Sequence, residues 1–408
     1  MRIQRVSELT TVSLRDRLAP SHARWSGEAA GETGFENLSA VLRRLAHSDH
    51  PILCFSPARA KAAFRRFATA FPGETTFAVK SAPHTELISS LSKAGMTAFD
   101  VASPAEMELV RNVAPSAELN YNNPIKSDSE LRRAVETFGV RHTTIDDFVG
   151  LDQLKAHVAD RAGFVVAVRI APEDNNALHD FRGKFGTDPE TAAQLLKAVA
   201  QAGFAPALSF HPGSQCTSPK AYTGLIARCA EIARNADVAI VSLNVGGGFP
   251  APYIGSGASS LSVFLADIRA ALTKHFPRGV RFFCEPGRAI AAPSFSLLAR
   301  VKHRRTNGDV FMNDGIYGGL MELSQIPIRL PVRAWRNARP HKGKLTPMRL
   351  FGPTCDPMDV LPDAIDLPEN IAVGDWIEFA LAGAYCTATS TRFNGFGRHT
   401  VVSVEKLD

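Results

Sequence analysis

From Pro51 to Arg288 the chain alternates between short runs of β-branched and aromatic residues and longer runs of helical period, and this alternation limits the folds open to it. The strand-like runs are PILCFS, TTFAVK, TAFDVAS, ELNYNNP, TTIDD, FVVAVRI, ALSFHPG, AIVSLNVGGGF and RFFCEP. Between them, runs such as SPAEMELVRNV and DPETAAQLLKAVAQAG place their apolar residues on one helical face. About eight β-α units in succession predict an α/β chain folded as a parallel (β/α)8 TIM barrel, with a doubly wound open sheet as the rival that counting does not separate. After Arg288 the alternation stops. SLLARVKH, GDVFMNDG, MRLFGP, WIEFAL and HTVVSVEKL read as strands broken by Pro and Gly turns, a separate C-terminal β-rich domain. Residues 1–48 read as a lead-in packing with that domain, 49–290 as the barrel and 291–408 as the β domain.

A barrel of this kind carries its active site where strands end and loops begin, and the strand ends here are loaded with polar groups. Lys80 closes TTFAVK, Asp100 and Ser103 follow TAF, Asn122 and Asn123 close ELNY, and His211 closes ALSF. Gly246, Gly247 and Gly248 follow VSLNV, while Glu285, Gly287 and Arg288 close RFFC. Lys80 follows a buried-looking strand, so desolvation is expected to lower its pKa and free its amine to form a Schiff base with an aldehyde. Taken alone it reads as a lysine snorkelling from a strand end; its company favours chemistry. The Gly triplet bares backbone N–H groups to an anion and, with Gly287 and the Arg288 guanidinium, makes a phosphate cradle. Glu285 suits a pyridine nitrogen, keeping it protonated as an electron sink; a structural ion pair between Glu285 and Arg288 is the equal alternative. His211 is placed to stack on a flat ring, or else is a satisfied core histidine.

Other functions fit less well. The net charge is +6, and the basic residues thicken only at Arg329, Arg333, Arg336, Arg339, Lys342, Lys344 and Arg349, with Trp335 the one aromatic among them. This reads as a solvated loop, not a nucleic-acid surface. No apolar run of roughly 18 residues predicts a membrane span, and the charged N-terminus has no signal-peptide core. The six cysteines form no C-x-x-C pair and the histidines no H-E-x-x-H, so neither disulfides nor a metal is expected, and a reducing cytoplasm fits.

FAVKSAP, FDVASPAEME, KFG at 184–186, FHPGSQ, NVGGGFP, CEPGR, GPTCDPMD and GAYCTATSTRFNGF, in this order, resemble the group IV, fold-type III PLP-dependent decarboxylases, which include ornithine, lysine and diaminopimelate decarboxylases. The resemblance runs from about Pro51 to Gly397. It implies an alanine-racemase-like barrel with a β domain, pyridoxal 5′-phosphate (PLP) as cofactor, a polyamine-forming activity, and a head-to-tail homodimer with shared sites. It further implies that Lys80 carries the cofactor, His211 stacks on its ring and Glu285 holds its ring nitrogen. Ser214, Gly247, Gly248, Gly287, Arg288 and Tyr385 are then expected around the phosphate, and Asp100 beside Lys80 or Arg169. Cys355 would return a proton to the substrate's α-carbon and Asp356 would meet the substrate, both from the partner subunit. The family's second substrate-binding acid falls at Ile326, with Glu322 and Gln325 as nearby polar candidates and the segment 181–186 on the substrate side. A basic substrate, ornithine or lysine, is therefore expected. Diaminobutyrate, arginine, diaminopimelate or an acidic amino acid is the alternative. A PLP racemase, or a regulatory relative without cofactor, fits less well: a racemase needs a second base opposite the lysine, and regulatory relatives lose the cofactor residues that stand here.

Overall fold

The structure is a computed structural model that describes residues 34–172, 177–179, 181, 183–276 and 279–407. One sheet of nine segments begins at Glu74–Thr75 and ends at Phe77–Ala78, two segments separated in the chain only by Thr76. Glu74–Thr75 pairs with Arg281–Cys284 and Phe77–Ala78 with Ala98–Val101, so the two edges of the sheet meet. Counted as one strand, these segments leave eight, all paired parallel, and the sheet closes into the expected barrel. The open-sheet rival is excluded by this closure, which leaves no unpaired edge.

The helices begin where the sequence supplies caps. Ser56, Ser103 and Asp188 cap Pro57–Ala70, Pro104–Val113 and Pro189–Gln201, each with proline in the first turn, where its missing N–H costs nothing. Their apolar faces pack on the strands in one continuous core.

The second sheet runs in the order Arg339–Pro340, Val332–Arg336, Trp376–Ala380, Phe295–Arg304, Ile52–Phe55 and Thr400–Ser403. PILCFS, counted above among the barrel's runs, is thus a strand of the β domain. Ile52–Phe55 lies antiparallel to Phe295–Arg304 and parallel to Thr400–Ser403. All four of its residues are buried, so its composition matches a barrel strand and only the pairing tells them apart. The helix Leu38–Arg44 packs beside it in a small core with Leu298, Trp335 and Trp376. The first 33 residues of the expected lead-in, and Asp180 and Arg182 in the loop before KFG, lie outside the described residues.

The basic run is largely neutralised. Arg333 meets Glu378 at 2.8 Å, Arg336 meets Asp375 at 2.6 Å and Arg329 meets Asp363 at 3.3 Å. Among the described residues no helix is long and apolar enough to cross a membrane, and no cluster of His, Cys, Asp and Glu is arranged for a metal.

Candidate active site

The barrel strands deliver their C-terminal polar residues to one cavity, lined by Lys80, Asn122, Thr144, Arg169, Ser209, Phe210, His211, Asn244 and Glu285. Lys80 sits in the single turn Val79–Ser81 just beyond Phe77–Ala78. Its Nζ donates to Asp100 Oδ2 at 2.8 Å. The lysine side chain is 39% exposed toward the cavity while Asp100 is 1% exposed.

The expectation of a depressed Lys80 is overturned. Burial does pull its pKa down, but the charges of Asp100, Glu285 and Tyr385 and the hydrogen bond it donates to Asp100 outweigh it, and Lys80 is held above its ordinary value. Asp100 lies 20 residues away on the next strand, so no local reading of TTFAVK contains it. Of the two partners considered for Asp100, the structure pairs it with Lys80.

Glu285 follows Arg281–Cys284 and is buried. Burial, then the charge of Asp100, pushes its pKa up to about 7, against the opposing pull of Lys80, Asn244 and Arg169. It makes no ion pair with Arg288. Its Oε1 instead accepts hydrogen bonds from the side-chain amides of Asn122 and Asn244. Asn244 was missed in the sequence because it sits inside an apolar run.

Arg288 opens the four-residue helix Arg288–Ala291 and points elsewhere. Its Nε and Nη2 donate to Ser214 Oγ at 3.2 Å each, and its Nη1 donates to Tyr253 Oη at 3.2 Å. Its two terminal nitrogens also hold the Glu322 carboxylate at 2.5 and 2.6 Å. The five N–H groups of the guanidinium are all engaged within the chain. Tyr385 lies under it, ring centroid 5.0 Å from Cζ, with φ of 55°, a left-handed conformation uncommon for a bulky residue. Its backbone N–H donates to Ser81 O at 2.6 Å, which ties the β domain to the lysine turn.

His211 follows Ala205–Phe210 and its Nδ1 accepts from the Gly213 N–H at 3.2 Å. Burial, then the charges of Arg169 and Lys80, holds it well below its ordinary pKa, so the ring is neutral. Gly247 and Gly248 are required here. A Cβ on Gly247 would stand 2.7 Å from the Glu285 carbonyl oxygen and 3.0 Å from His211 Nε2. Gly248, at φ +92°, would drive one into the Gly213 carbonyl. Gly287 packs against Ser81, placing the glycine-rich turns beside the lysine turn.

The remaining expected residues are not gathered at this cavity. Cys355 is exposed in a β-domain turn, where its N–H donates to Asn394 Oδ1 at 3.0 Å. Asp356 accepts from Tyr317 Oη at 2.8 Å. Glu322 is taken by Arg288, so it is not a free partner for a substrate ammonium. Gln325 is exposed at the end of Glu322–Gln325, and Ile326 is buried.

A closed parallel barrel joined to a β domain, its cavity holding a carboxylate-paired lysine, a neutral histidine and a buried carboxylate beside glycine turns, defines an alanine-racemase-type PLP enzyme. The chain matches the family "Pyridoxal-dependent decarboxylase, pyridoxal binding domain" over residues 58–292. It is 34% identical to a lysine/ornithine decarboxylase of Selenomonas ruminantium over 331 residues, 78% of this chain and 80% of that one. It is 32% identical to ornithine decarboxylase of Mus musculus over 367 residues, 83% of this chain and 77% of that one. Among solved structures it resembles the Paramecium bursaria Chlorella virus arginine decarboxylase bound to agmatine, with a TM-score of 0.80, 26% identity and coverage of 89% and 98%. It also resembles the Vibrio vulnificus lysine/ornithine decarboxylase with cadaverine, with a TM-score of 0.78, 29% identity and coverage of 90% and 98%.

This chain belongs to the PLP-dependent decarboxylases. It is an amino-acid decarboxylase whose cofactor is PLP. The residues suit that group. Lys80 offers an amine to the cavity, and Gly247 and Gly248 let the chain turn beside His211 and Glu285 where a Cβ would meet the Glu285 and Gly213 carbonyls. Asp100 Oδ1 and Ser209 Oγ are buried polar atoms without a protein partner, the sign of a site built for a polar ligand or water.

Proposed function

We propose that the enzyme decarboxylates a basic amino acid, ornithine or lysine, to its diamine and CO2. The observation that carries the reading is the convergence of Lys80, His211 and Glu285 on one cavity, with Asp100 on the lysine. Relatives acting on lysine and ornithine supply the substrate class. Arginine is the second reading, favoured by the likeness to the viral arginine decarboxylase.

When bound, PLP supplies a protonated pyridine ring that draws in the electrons left by the departing carboxyl group. Lys80 would hold the cofactor through its aldehyde carbon. Asp100 orients Lys80 Nζ and holds its proton at 2.8 Å. Glu285 would accept the ring N–H, and His211, uncharged, would lie against the ring. Ser214 and the backbone N–H groups at Gly247, Gly248 and Gly287 would hold the phosphate, with Arg288 and Tyr385 behind them, and Arg169 stands at the cavity wall.

Cys355 and Asp356 act from the partner subunit in a homodimer. Cys355 is exposed and Asp356 only half-buried in their own chain, and the surface around them carries Met358 and Phe393, both exposed. Cys355 of the partner subunit returns the proton to the α-carbon, and Asp356 of the partner subunit meets the distal ammonium. Ile326, where the family's second acid is expected, is a buried core residue and offers that ammonium no charge. All six cysteines are free, which suits a reducing cytoplasm.

The test is CO2 and amine release from L-ornithine, L-lysine and L-arginine by the PLP-loaded protein and by Lys80→Ala. Ornithine or lysine turnover, lost in the variant, supports the reading. Turnover of arginine alone moves it to the second, and turnover of none of them with PLP bound sinks both.

A further inference from the structure

Two asparagines place their amides on one oxygen of Glu285, and both amides are locked by a third group. Asn122 Nδ2 and Asn244 Nδ2 each donate to Glu285 Oε1. Thr144 Oγ1 donates to Asn122 Oδ1 at 2.9 Å, and the Gly246 N–H donates to Asn244 Oδ1 at 2.9 Å. Turning either amide over would bring its oxygen against the carboxylate and break the bond that fixes it. The four side chains come from the C-terminal ends of four barrel strands, the rigid part of the scaffold. Glu285 Oε2 takes part in neither amide contact and is the oxygen left for a ligand.

We propose that Asn122 and Asn244 form an amide clamp that keeps Glu285 an ionised acceptor, making them positioning residues for the cofactor's ring nitrogen. This rests on the placement of Glu285 against that nitrogen. Side-chain amide N–H groups only donate, so at Oε1 they favour the carboxylate over the acid. The clamp is needed because the surroundings pull both ways. Burial and Asp100 favour the neutral acid, Lys80 and Arg169 favour the anion, and the thiol of Cys284 is the neighbouring residue on the strand. As a neutral acid Glu285 would offer a proton where it must receive one, and the ring nitrogen would lose its charge partner.

The experiment is a pH titration of the bound cofactor's absorbance in the loaded wild-type enzyme and in Asn122→Ala, Asn244→Ala, Thr144→Val and Glu285→Gln, alongside the pH profile of kcat. The expected result is an acid transition moved up by about one pH unit in each asparagine variant, the size of a lost hydrogen bond to a charged group. Thr144→Val keeps the volume and the asparagine but frees its amide, so a smaller upward shift is expected, and this mild variant serves if an alanine variant folds poorly. At pH values above the transition kcat returns to within a few-fold of wild type. A pH-independent loss with no shift would mean that the asparagines only fill space, and overturns the clamp. If Glu285→Gln loses the transition while the asparagine variants leave it in place, Glu285 stands as the ring partner and the clamp alone falls. If Glu285→Gln keeps the wild-type transition, the ring-partner reading falls and takes the clamp with it.

Discussion

Glu322 lays both carboxylate oxygens on the two terminal nitrogens of Arg288, 2.5 and 2.6 Å away, across 34 residues of sequence. The pair is buried, with side-chain exposures of 4% and 13%. A guanidinium placed beside an anion cradle is therefore already neutralised from within the chain.

Replacing Glu322 by Gln leaves a buried cation short of a counter-charge. Breaking one half of such a pair costs about 3–5 kcal/mol, so the Tm of the cofactor-free protein is expected to fall. PLP brings its own anion to the cradle, so its stabilising increment in Tm should be larger in Glu322→Gln than in wild type. Thermal melts with and without PLP check this; equal increments would mean that Arg288 does not feel the phosphate.

The proposed sharing of the site between two subunits predicts complementation between inactive chains. Lys80→Ala and Cys355→Ala homodimers should each lose most activity, a misplaced general acid alone costing roughly 10²–10⁴-fold. Mixed and allowed to exchange, they should recover about a quarter of wild-type activity, since half the dimers are mixed and each of those has one intact site of two. No recovery, with exchange confirmed by native mass spectrometry, would place each site within one chain.

Two histidines, the buried His142 and the half-buried His84, make stability depend on pH. Burial lowers both His84 and His142 from 6.5 to about 4. Between those values the unfolded chain binds protons that the folded one refuses, so this part of the stability is intact above pH 6.5 and is lost as pH falls toward 4. For His142, whose Nε2 has no protein partner, the loss is on the order of 3 kcal/mol. His142→Met should flatten the dependence, read as urea midpoints between pH 4.5 and 7. An unchanged slope would show that His142 is not buried as a neutral ring.

The site was legible in the sequence where one residue at one strand end was enough. Lys80, His211 and Glu285 each stand at or just beyond the buried C-terminal end of a barrel strand, and barrel closure does the rest. What could not be read locally was set by partners far along the chain. Asp100 reverses the pKa shift that burial alone gives Lys80, and Glu322 claims Arg288. Asn244 gives Glu285 a neutral donor where an ion pair with Arg288 was the equal alternative. Tyr385 takes its strained backbone from a β-domain turn that the chain reaches 305 residues after Lys80. The fold shows the same limit. Ile52–Phe55 has the composition of a barrel strand, and only its pairing with Phe295–Arg304 and Thr400–Ser403 assigns it to the other sheet.

If Lys80 carries the cofactor, borohydride reduction of the PLP-loaded enzyme followed by peptide mass mapping marks it. Lys126 is the instructive competitor. Burial lowers its pKa to about 7, so more of it is free amine than of Lys80, yet its Nζ is spent on Thr144 O at 2.6 Å and Pro124 O at 3.1 Å, and Lys126 is not among the residues lining the cavity. One phosphopyridoxyl group per chain is expected, on the peptide containing Lys80, and none in Lys80→Ala. A label on Lys126 or another lysine, with Lys80 unmodified, would contradict that assignment.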